Sequence, residues 1–287
     1  MKRLSFLAVV VAIVIAAPAF AAGPIPVVAA ENFYGDVAHQ IGGADVTVTS
    51  ILNNPDEDPH LFEASPSVAR VISRARFVVY SGIDYDPWMP KLLGAARSTD
   101  RTVVVVAELV GKKTSDNPHI WYDPNTMLTF AKVLADDLSD ADPAHRSDYQ
   151  ERLRRFQQSM QPVRAKIATL HGRLAGTPVT ATEPVFGYMF DALGLQVRNQ
   201  SFQLAVMNNT EPSASDVAGF ERDLKTRQVK LLVYNSQASD PIAERMMKLA
   251  KASHIPVVGA AETEPPGQTY QQWMTNALDA VDHALLR

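Results

Sequence analysis

The sequence predicts an α/β fold with two lobes, each an open parallel sheet flanked by helices, joined by one long helix. Three observations predict it. Short apolar runs alternate with helical patterns, this alternation occurs twice, and the longest uninterrupted helical pattern, over residues 143–174, lies between the two series. Short strands that alternate with helices are typical of open parallel sheets. The 287 residues also exceed the ~100–200 residues that are usual for one domain.

The first residues have the pattern of a cleavable signal peptide. Lys2 and Arg3 precede an apolar run over residues 4–17, and Pro-Ala-Phe-Ala-Ala follows at 18–22. A charged start, an apolar stretch and small residues at the cleavage point are typical of export signals. The apolar run is shorter than the ~20 residues of a spanning helix. We therefore predict that residues 1–22 are a signal peptide and that the mature protein is periplasmic.

Composition restricts the partners. The net charge is -4, the isoelectric point is near 6.0, and no basic stripe is present, so we expect no nucleic-acid partner. The sequence has no cysteine, which excludes a disulfide framework, a thiolate metal site and a lipid-modified cysteine after the signal. We expect a soluble monomer whose core alone stabilises it.

The N-terminal lobe, predicted over residues 23–140, contains four apolar or β-branched runs. These predicted strands are residues 24–29, 46–52, 77–80 and 103–107, and the predicted helices between and after them are 36–41, 65–75, 87–96 and 123–138. Ser65 followed by Pro66 is typical of a helix start, because serine caps the first turn and proline suits its first position.

The predicted linking helix occupies residues 141–175. Apolar residues keep helical spacing from Leu153 to Leu170, and Pro162 alone interrupts the pattern, so we predict a kink there. A helix of about 30 residues rises about 45 Å, enough to join two lobes.

The C-terminal lobe is predicted over residues 176–287. Its predicted strands are residues 178–182, 203–206, 230–234 and 255–260, and its predicted helices are 184–192, 214–227, 240–252 and 268–286. The strand at 203–206 has the weakest pattern of the four.

Four candidate metal ligands lie in loops that follow strands or precede helices. They are His60, His119, Glu183, and one of Glu262 or Glu264. Ligands of open α/β sheets bind outside the carboxyl ends of the strands, and histidines with carboxylates suit Zn²⁺, Mn²⁺ or Fe²⁺.

Two of the candidates also have a structural alternative. His60 could belong to an ordinary surface turn, and Glu183 could serve only the dipole at the start of a helix. Aromatic residues near the motifs could wall a cleft or belong to the core; they are Trp121, Tyr122, Phe186 and Tyr188.

Two histidine motifs carry a family resemblance. Asp-Pro-His-Leu-Phe-Glu at 58–63 and Asn-Pro-His-Ile-Trp-Tyr-Asp-Pro at 117–124, with a strand ending at Glu183 before Phe-Gly-Tyr at 186–188, resemble the cluster A-I solute-binding proteins of ABC transporters. These proteins are receptors for zinc and manganese. The resemblance covers essentially the whole mature chain.

The resemblance implies a metal held between two lobes, with His60 and His119 supplied by the N-terminal lobe. Glu183 occupies the third position, which is histidine in many zinc receptors and glutamate in many manganese receptors. The fourth ligand is usually an aspartate after the last strand, where this chain has Glu262 and Glu264 instead. We favour Glu262, because Ala-Glu-Thr at 261–263 sits most like the family's Thr-Asp-Ser segment.

The function that the resemblance implies is capture of a divalent transition metal and its delivery to an inner-membrane ABC permease. Zn²⁺ is favoured by the Irving–Williams order, with Mn²⁺ next and Fe²⁺ tolerated. Four protein ligands leave no open position, whereas catalytic zinc keeps one, so we expect no enzyme activity. The alternative is a secreted metal-dependent hydrolase or oxygenase that uses the same cluster, and the absence of a His-Glu-x-x-His motif disfavours it.

Overall fold

The computed structural model describes residues 23–55, 62–238 and 240–286, and within them it contains two four-stranded sheets. The strands of the first sheet are β1 (Ile25–Glu31), β2 (Val46–Leu52), β3 (Phe77–Tyr80) and β4 (Thr102–Val105). Those of the second sheet are β5 (Pro178–Ala181), β6 (Gln196–Arg198), β7 (Leu232–Asn235) and β8 (Val257–Ala260). The predicted signal peptide, residues 1–22, lies outside the described residues.

Helices connect these strands. They are α1 (Asn32–Gly42), α2 (Pro66–Arg74), α3 (Trp88–Ala95), α4 (Val106–Leu109), α5 (Thr126–Ala141), α6 (Arg146–Ser159), α7 (Gln161–Leu174), α8 (Gly187–Ala192), α9 (Gln200–Met207), α10 (Ala214–Lys225), α11 (Pro241–Ala252) and α12 (Tyr270–Leu285). In the described ranges, no helix is both long and apolar enough to span a bilayer.

The two sheets have the same strand order relative to the chain. The first runs β2-β1-β3-β4 and the second β6-β5-β7-β8, and every strand pair in the described part of the chain is parallel. The central strands are apolar because helices cover both faces of a parallel sheet: Phe77, Val78 and Val79 of β3 are all buried. The predicted fold class is confirmed.

The predicted single linking helix is two helices that abut at Met160. Proline has no N–H, so Pro162 cannot donate to the carbonyl four residues earlier, and the helix ladder breaks just before it. Met160 keeps near-helical angles, with φ -80° and ψ -13°, and its N–H still bonds to Phe156 O at 3.1 Å. The break therefore lies at the predicted kink, and the single predicted helix is corrected to the two helices α6 and α7.

The two helices serve different lobes. Helix α6 packs against α1 and α5, and Arg152 on it donates to Asp45 and to Gly42 O. Helix α7 packs against α12, and its Lys166 pairs with Asp279. The predicted boundaries at 23–140, 141–175 and 176–287 stay predictions.

One predicted strand is wrong. Residues 203–206 lie inside helix α9. The strand of that region is β6, which ends five residues before the predicted start at Gln203. The apolar residues follow a helical period, because Phe202 and Val206 are buried in one cluster with Phe220 while Leu204 is exposed. A smaller correction concerns residues 106–107, which begin helix α4 instead of extending β4.

An aromatic seam joins the two lobes. Tyr122 contacts Phe186 and Trp273 with ring centroids 4.9 and 5.4 Å apart, and its hydroxyl donates to Ala261 O at 2.8 Å. The hydroxyl of Tyr270 donates to Trp121 O at 2.6 Å. Trp121, Tyr122 and Phe186 therefore belong to the core between the lobes, which is one of the two alternatives for these residues.

Candidate metal site

Three polar residues meet at the carboxyl edge of the second sheet. Glu183 lies two residues beyond β5, Asn235 ends β7, and Glu262 lies two residues beyond β8. Strand β7 is the neighbour of both β5 and β8, so its last residue stands between the other two. All three side chains are buried, with exposed fractions of 4% or less.

Asn235 hydrogen-bonds to both carboxylates. Its Nδ2 donates to Glu262 Oε1 at 2.6 Å and to Glu183 Oε2 at 3.2 Å. Its Oδ1 accepts from Gln237 N at 3.0 Å, which fixes the orientation of the carboxamide. Two acids that would otherwise repel each other are thus held by one neutral side chain.

His119 faces Glu262 from the other lobe. The distance from His119 Nε2 to Glu262 Oε2 is 3.4 Å, and neither side chain is exposed to solvent. Two ligand atoms that lie about 2.0–2.1 Å from a tetrahedral Zn²⁺ are separated by about 3.3–3.4 Å. The observed separation therefore fits a shared metal ion.

Asn117 orients the His119 ring. Its Oδ1 lies 2.6 Å from His119 Nδ1 and accepts from His119 N at 3.1 Å, while its Nδ2 donates to Pro184 O at 2.6 Å. Because Oδ1 is the acceptor, Nδ1 carries the ring proton in the neutral tautomer, and the lone pair is on Nε2, which faces Glu262.

Asn117 also contacts the start of α8. Tyr188 donates its hydroxyl to Asn117 O at 2.8 Å. A Cβ at Gly187 would lie 2.7 Å from Asn117 Nδ2, so the absence of a side chain permits this approach. The orientation of His119 is therefore tied to the segment that follows Glu183.

Glu264, the alternative to Glu262, has a different environment. Its backbone exchanges two hydrogen bonds with the Asn32 side chain, N to Oδ1 at 2.9 Å and O from Nδ2 at 2.7 Å, which ties the loop after β8 to α1. Burial, and then the negative charge of Asp36, raise the pKa of the Glu264 side chain to about 9. A carboxyl group that is neutral at pH 7 is a poor metal ligand.

His60 lies in residues 56–61, outside the described residues. In the described ranges, His, Asp and Glu side chains form no group of three or more that could hold a metal ion. Of the predicted ligands, His119 and Glu262 face each other directly. Glu183 is linked to Glu262 through hydrogen bonds to Asn235.

A second pair of acids lies at the carboxyl edge of the first sheet. Glu31 ends β1 and is fully buried, and Asp86 accepts from Ser81 N at 2.6 Å and Gly82 N at 2.9 Å. Burial, and then the charge of Asp86, raise the pKa of Glu31 well above its usual value. Burial raises the pKa of Asp86 to about 6, with the two backbone hydrogen bonds acting in the opposite direction. The hydrogen bond between the two acids raises the pKa of Glu31 and lowers that of Asp86, so Glu31 is the partner that holds the shared proton.

Sequence reasoning missed the roles of Asn117, Asn235 and Glu31. Asn235 directly follows the predicted strand 230–234, and Glu31 follows the predicted strand 24–29 closely, so the rule used for His60 and Glu183 also pointed to them. Asn117 and Asn235 were overlooked because an amide is not itself a usual zinc ligand.

Comparisons with a family model and with known proteins both point to metal-uptake proteins. A family model described as "Zinc-uptake complex component A periplasmic" (ZnuA) matches residues 27–284. The manganese ABC transporter substrate-binding lipoprotein PsaA of Streptococcus pneumoniae is 22% identical over 284 residues, covering 92% of this chain and 90% of that protein. The iron ABC transporter substrate-binding lipoprotein MtsA of Streptococcus pyogenes is also 22% identical, covering 92% and 89%.

The fold is shared with a solved structure. The periplasmic zinc-binding protein TroA of Treponema pallidum superposes with a TM-score of 0.77 at 22% identity, covering 92% of this chain and 100% of that one. TroA is thus similar in fold over almost the whole length of both chains.

Proposed function

The chain belongs to the family of periplasmic zinc-uptake complex components, and from this premise we propose that it is the substrate-binding protein of a metal ABC transporter. It captures a divalent transition metal between its lobes and delivers the metal to an ABC permease in the inner membrane. The names of PsaA and MtsA as transporter substrate-binding proteins support this function. The family resemblance inferred from the motifs of His60 and His119 is confirmed.

The proposed ligands are His60, His119, Glu183 and Glu262. The observation that carries this proposal is the 3.4 Å separation of His119 Nε2 and Glu262 Oε2 across the lobes. This separation matches the distance between two ligand atoms of one tetrahedral Zn²⁺ ion. Glu183 joins this pair because Asn235 holds it beside Glu262.

Zn²⁺ is the proposed cargo, with Mn²⁺ next and Fe²⁺ after it. Nitrogen from histidine and oxygen from glutamate accept all three cations, and the Irving–Williams order favours zinc among them. The relatives differ in the metal in their names, which is manganese for PsaA, iron for MtsA and zinc for TroA.

We infer a carrier and not an enzyme, because four protein ligands leave the cation no open position for a substrate. Proteins of this family act outside the cytoplasm, and we propose the periplasm, reached through removal of residues 1–22. PsaA and MtsA are named lipoproteins, whereas this sequence has no cysteine to carry a lipid, so we propose that the mature protein carries no lipid on cysteine. We also propose that it is a monomer.

Elemental analysis of the mature protein purified without added metal, followed by competitive titration with Zn²⁺ and Mn²⁺, tests the function. We expect one metal ion per chain and tighter binding of Zn²⁺. A free metal concentration of about 100 times Kd should add about 2.7 kcal/mol to the free energy of unfolding. A protein that binds neither cation, or that turns over a substrate when metal-loaded, would contradict the proposal.

A further inference from the structure

One buried carboxamide lies between the two proposed carboxylate ligands. Asn235 is 4% exposed, and it is the last residue of the strand whose neighbours lead to Glu183 and Glu262. The ladder remains paired up to this point, because Ser236 N donates to Ala260 O at 2.9 Å and Thr182 N donates to Val233 O at 2.9 Å. The position of the carboxamide is therefore set by the sheet and not by a mobile loop.

The carboxamide has a defined orientation. A carboxamide presents two N–H donors on one side and an acceptor on the other. The acceptor of Asn235 receives Gln237 N, so both donors are directed to the acids, at 2.6 Å from Glu262 Oε1 and 3.2 Å from Glu183 Oε2. Exchanging the two ends would place a carbonyl oxygen against two carboxylates and an NH₂ group against an N–H.

Each hydrogen bond occupies one oxygen of an acid. The oxygen of Glu262 bound to Asn235 is Oε1, and the other oxygen, Oε2, is the one that lies 3.4 Å from His119 Nε2. Glu183 uses Oε2 for the same amide. A cation beside His119 therefore meets one oxygen of Glu262 while the second is already bound to an N–H donor.

The side chain of Gln237 restrains Glu262 by bonding to the backbone of Glu262. Its Oε1 accepts from Glu262 N at 2.6 Å and from Thr263 N at 2.9 Å, and its Nε2 donates to Thr263 Oγ1 at 2.9 Å. The loop that carries Glu262 is thus attached to the end of β7 at several points. Rotation of the carboxylate to present both oxygens to the metal would draw Oε1 away from Asn235 Nδ2 and weaken this hydrogen bond.

We propose that Asn235 is a positioning residue that keeps Glu183 and Glu262 to one metal-binding oxygen each and thereby favours Zn²⁺ over Mn²⁺. This inference rests on the proposed function and deepens it. One oxygen from each acid, beside the Nε2 atom of His119, suits the tetrahedral coordination that zinc adopts in closed sites. Mn²⁺ favours octahedral, oxygen-rich coordination, which carboxylates supply by binding through both oxygens.

The test compares wild-type protein with Asn235→Leu and Asn235→Ala. Leucine is close to asparagine in shape and has no donor, whereas alanine also leaves a space, so an effect common to both variants comes from the lost N–H groups. Gln203→Ala is the matched control, because Gln203 is also a buried carboxamide of this lobe but donates to Arg198 O, at 2.8 Å.

Two readouts are needed, because a general loss of protein stability would lower the affinity for all metals alike. Competitive titration gives the ratio of Zn²⁺ to Mn²⁺ affinity, and the visible absorption of the Co²⁺-loaded protein reports the coordination number. In the Asn235 variants we expect Zn²⁺ affinity to fall about 10–100-fold, the usual effect of removing an outer partner of a metal ligand. Mn²⁺ affinity should fall less, so that the ratio drops about tenfold or more.

The Co²⁺ spectrum should change from the intense bands of four-coordinate cobalt in the wild type to the weak bands of higher coordination in both Asn235 variants. The Gln203→Ala protein should keep the wild-type ratio and spectrum. An unchanged ratio and spectrum in either folded Asn235 variant would overturn this inference alone. A wild type that binds none of the three cations would overturn the proposed function, and this inference with it.

Discussion

His119 Nε2 lies 3.4 Å from Glu262 Oε2, although the two residues come from opposite lobes of the molecule. His119 precedes a short turn at Ile120–Tyr122, and Glu262 follows the last strand of the second sheet. The same seam carries the bonds from Asn117 to Pro184 O and from Tyr122 to Ala261 O. A cation held by the proposed ligands His119 and Glu262 would therefore bridge the lobes and stabilise their contact.

The first prediction distinguishes the two candidate acids after β8. Glu262→Gln should lower Zn²⁺ affinity by more than the ~10–100-fold that follows loss of an outer partner, because it removes the proposed carboxylate ligand that faces His119. Glu264→Gln should change the affinity by less than about tenfold, since a neutral carboxyl with a pKa of about 9 resembles the amide. Isothermal titration with a competing chelator measures both. A larger loss in Glu264→Gln than in Glu262→Gln would reverse the assignment.

The second prediction concerns Asn117. Asn117→Ala removes the acceptor that holds the Nδ1–H tautomer of His119, so Zn²⁺ affinity should fall about 10–100-fold. Asn125 is an exposed asparagine that follows the same motif, so Asn125→Ala is the matched control and should bind Zn²⁺ as the wild type does. Equal affinities for Asn117→Ala and the control would show that the ring needs no orienting partner.

The third prediction is the pH dependence of metal affinity. A histidine must be neutral to bind a metal, so protons compete with the cation, and Zn²⁺ affinity should decrease as the pH is lowered. The decrease should be shallower in His119→Ala, which has one fewer competing imidazole. Zn²⁺ titrations between about pH 8 and pH 5 measure it. An affinity that stays constant over this range argues against histidine ligation.

The fourth prediction concerns the stability of the metal-free protein. Burial and Asp86 raise the pKa of Glu31 well above 4.5, so the folded state binds a proton that the unfolded chain releases. The stability that comes from Glu31 is therefore present in full below about pH 4.5 and is lost as pH rises toward the raised pKa, by at most about 1.4 kcal/mol per pH unit.

Glu31→Gln keeps a neutral group of similar shape at every pH. Its unfolding free energy should fall less steeply than that of the wild type as pH rises above about 4.5, and it should be the more stable protein at pH 8. Urea denaturation at a series of pH values measures the difference. Glu108→Gln, which alters an exposed carboxylate of the same lobe, is the control and should follow the wild type. Parallel curves for wild type and Glu31→Gln would show that Glu31 ionises normally.

Most of the fold could be predicted because its elements have strong local patterns. The strands β1, β2 and β3 are apolar or β-branched runs bounded by polar residues, and the helix that begins at Pro66 has its proline at the first turn. The region near Phe202 was assigned wrongly because a short apolar run fits either a strand or a buried helix. The helical conformation allows Phe202 to pack against Phe220, which lies on a later helix and is not part of the local pattern.

The site was predictable in part. Charged residues after strand ends identified Glu183 and the Glu262–Glu264 pair, because the topology of a parallel sheet directs all its carboxyl ends to one edge. The same reasoning could not choose between Glu262 and Glu264. That difference depends on the Asn32 side chain, which bonds to the backbone of Glu264 from the other lobe.

The sequence by itself determined the strand–helix alternation, the two-lobe division and the residue types available to a metal, because each depends on neighbours along the chain. Only the tertiary structure decided which acid faces His119, that one carboxamide joins Glu183 to Glu262, and that Glu31 is buried beside Asp86. These relationships depend on distances and burial between distant segments. Hydrogen bonds and electrostatic interactions act through space between residues that are far apart in the sequence, so a local sequence pattern does not reveal them.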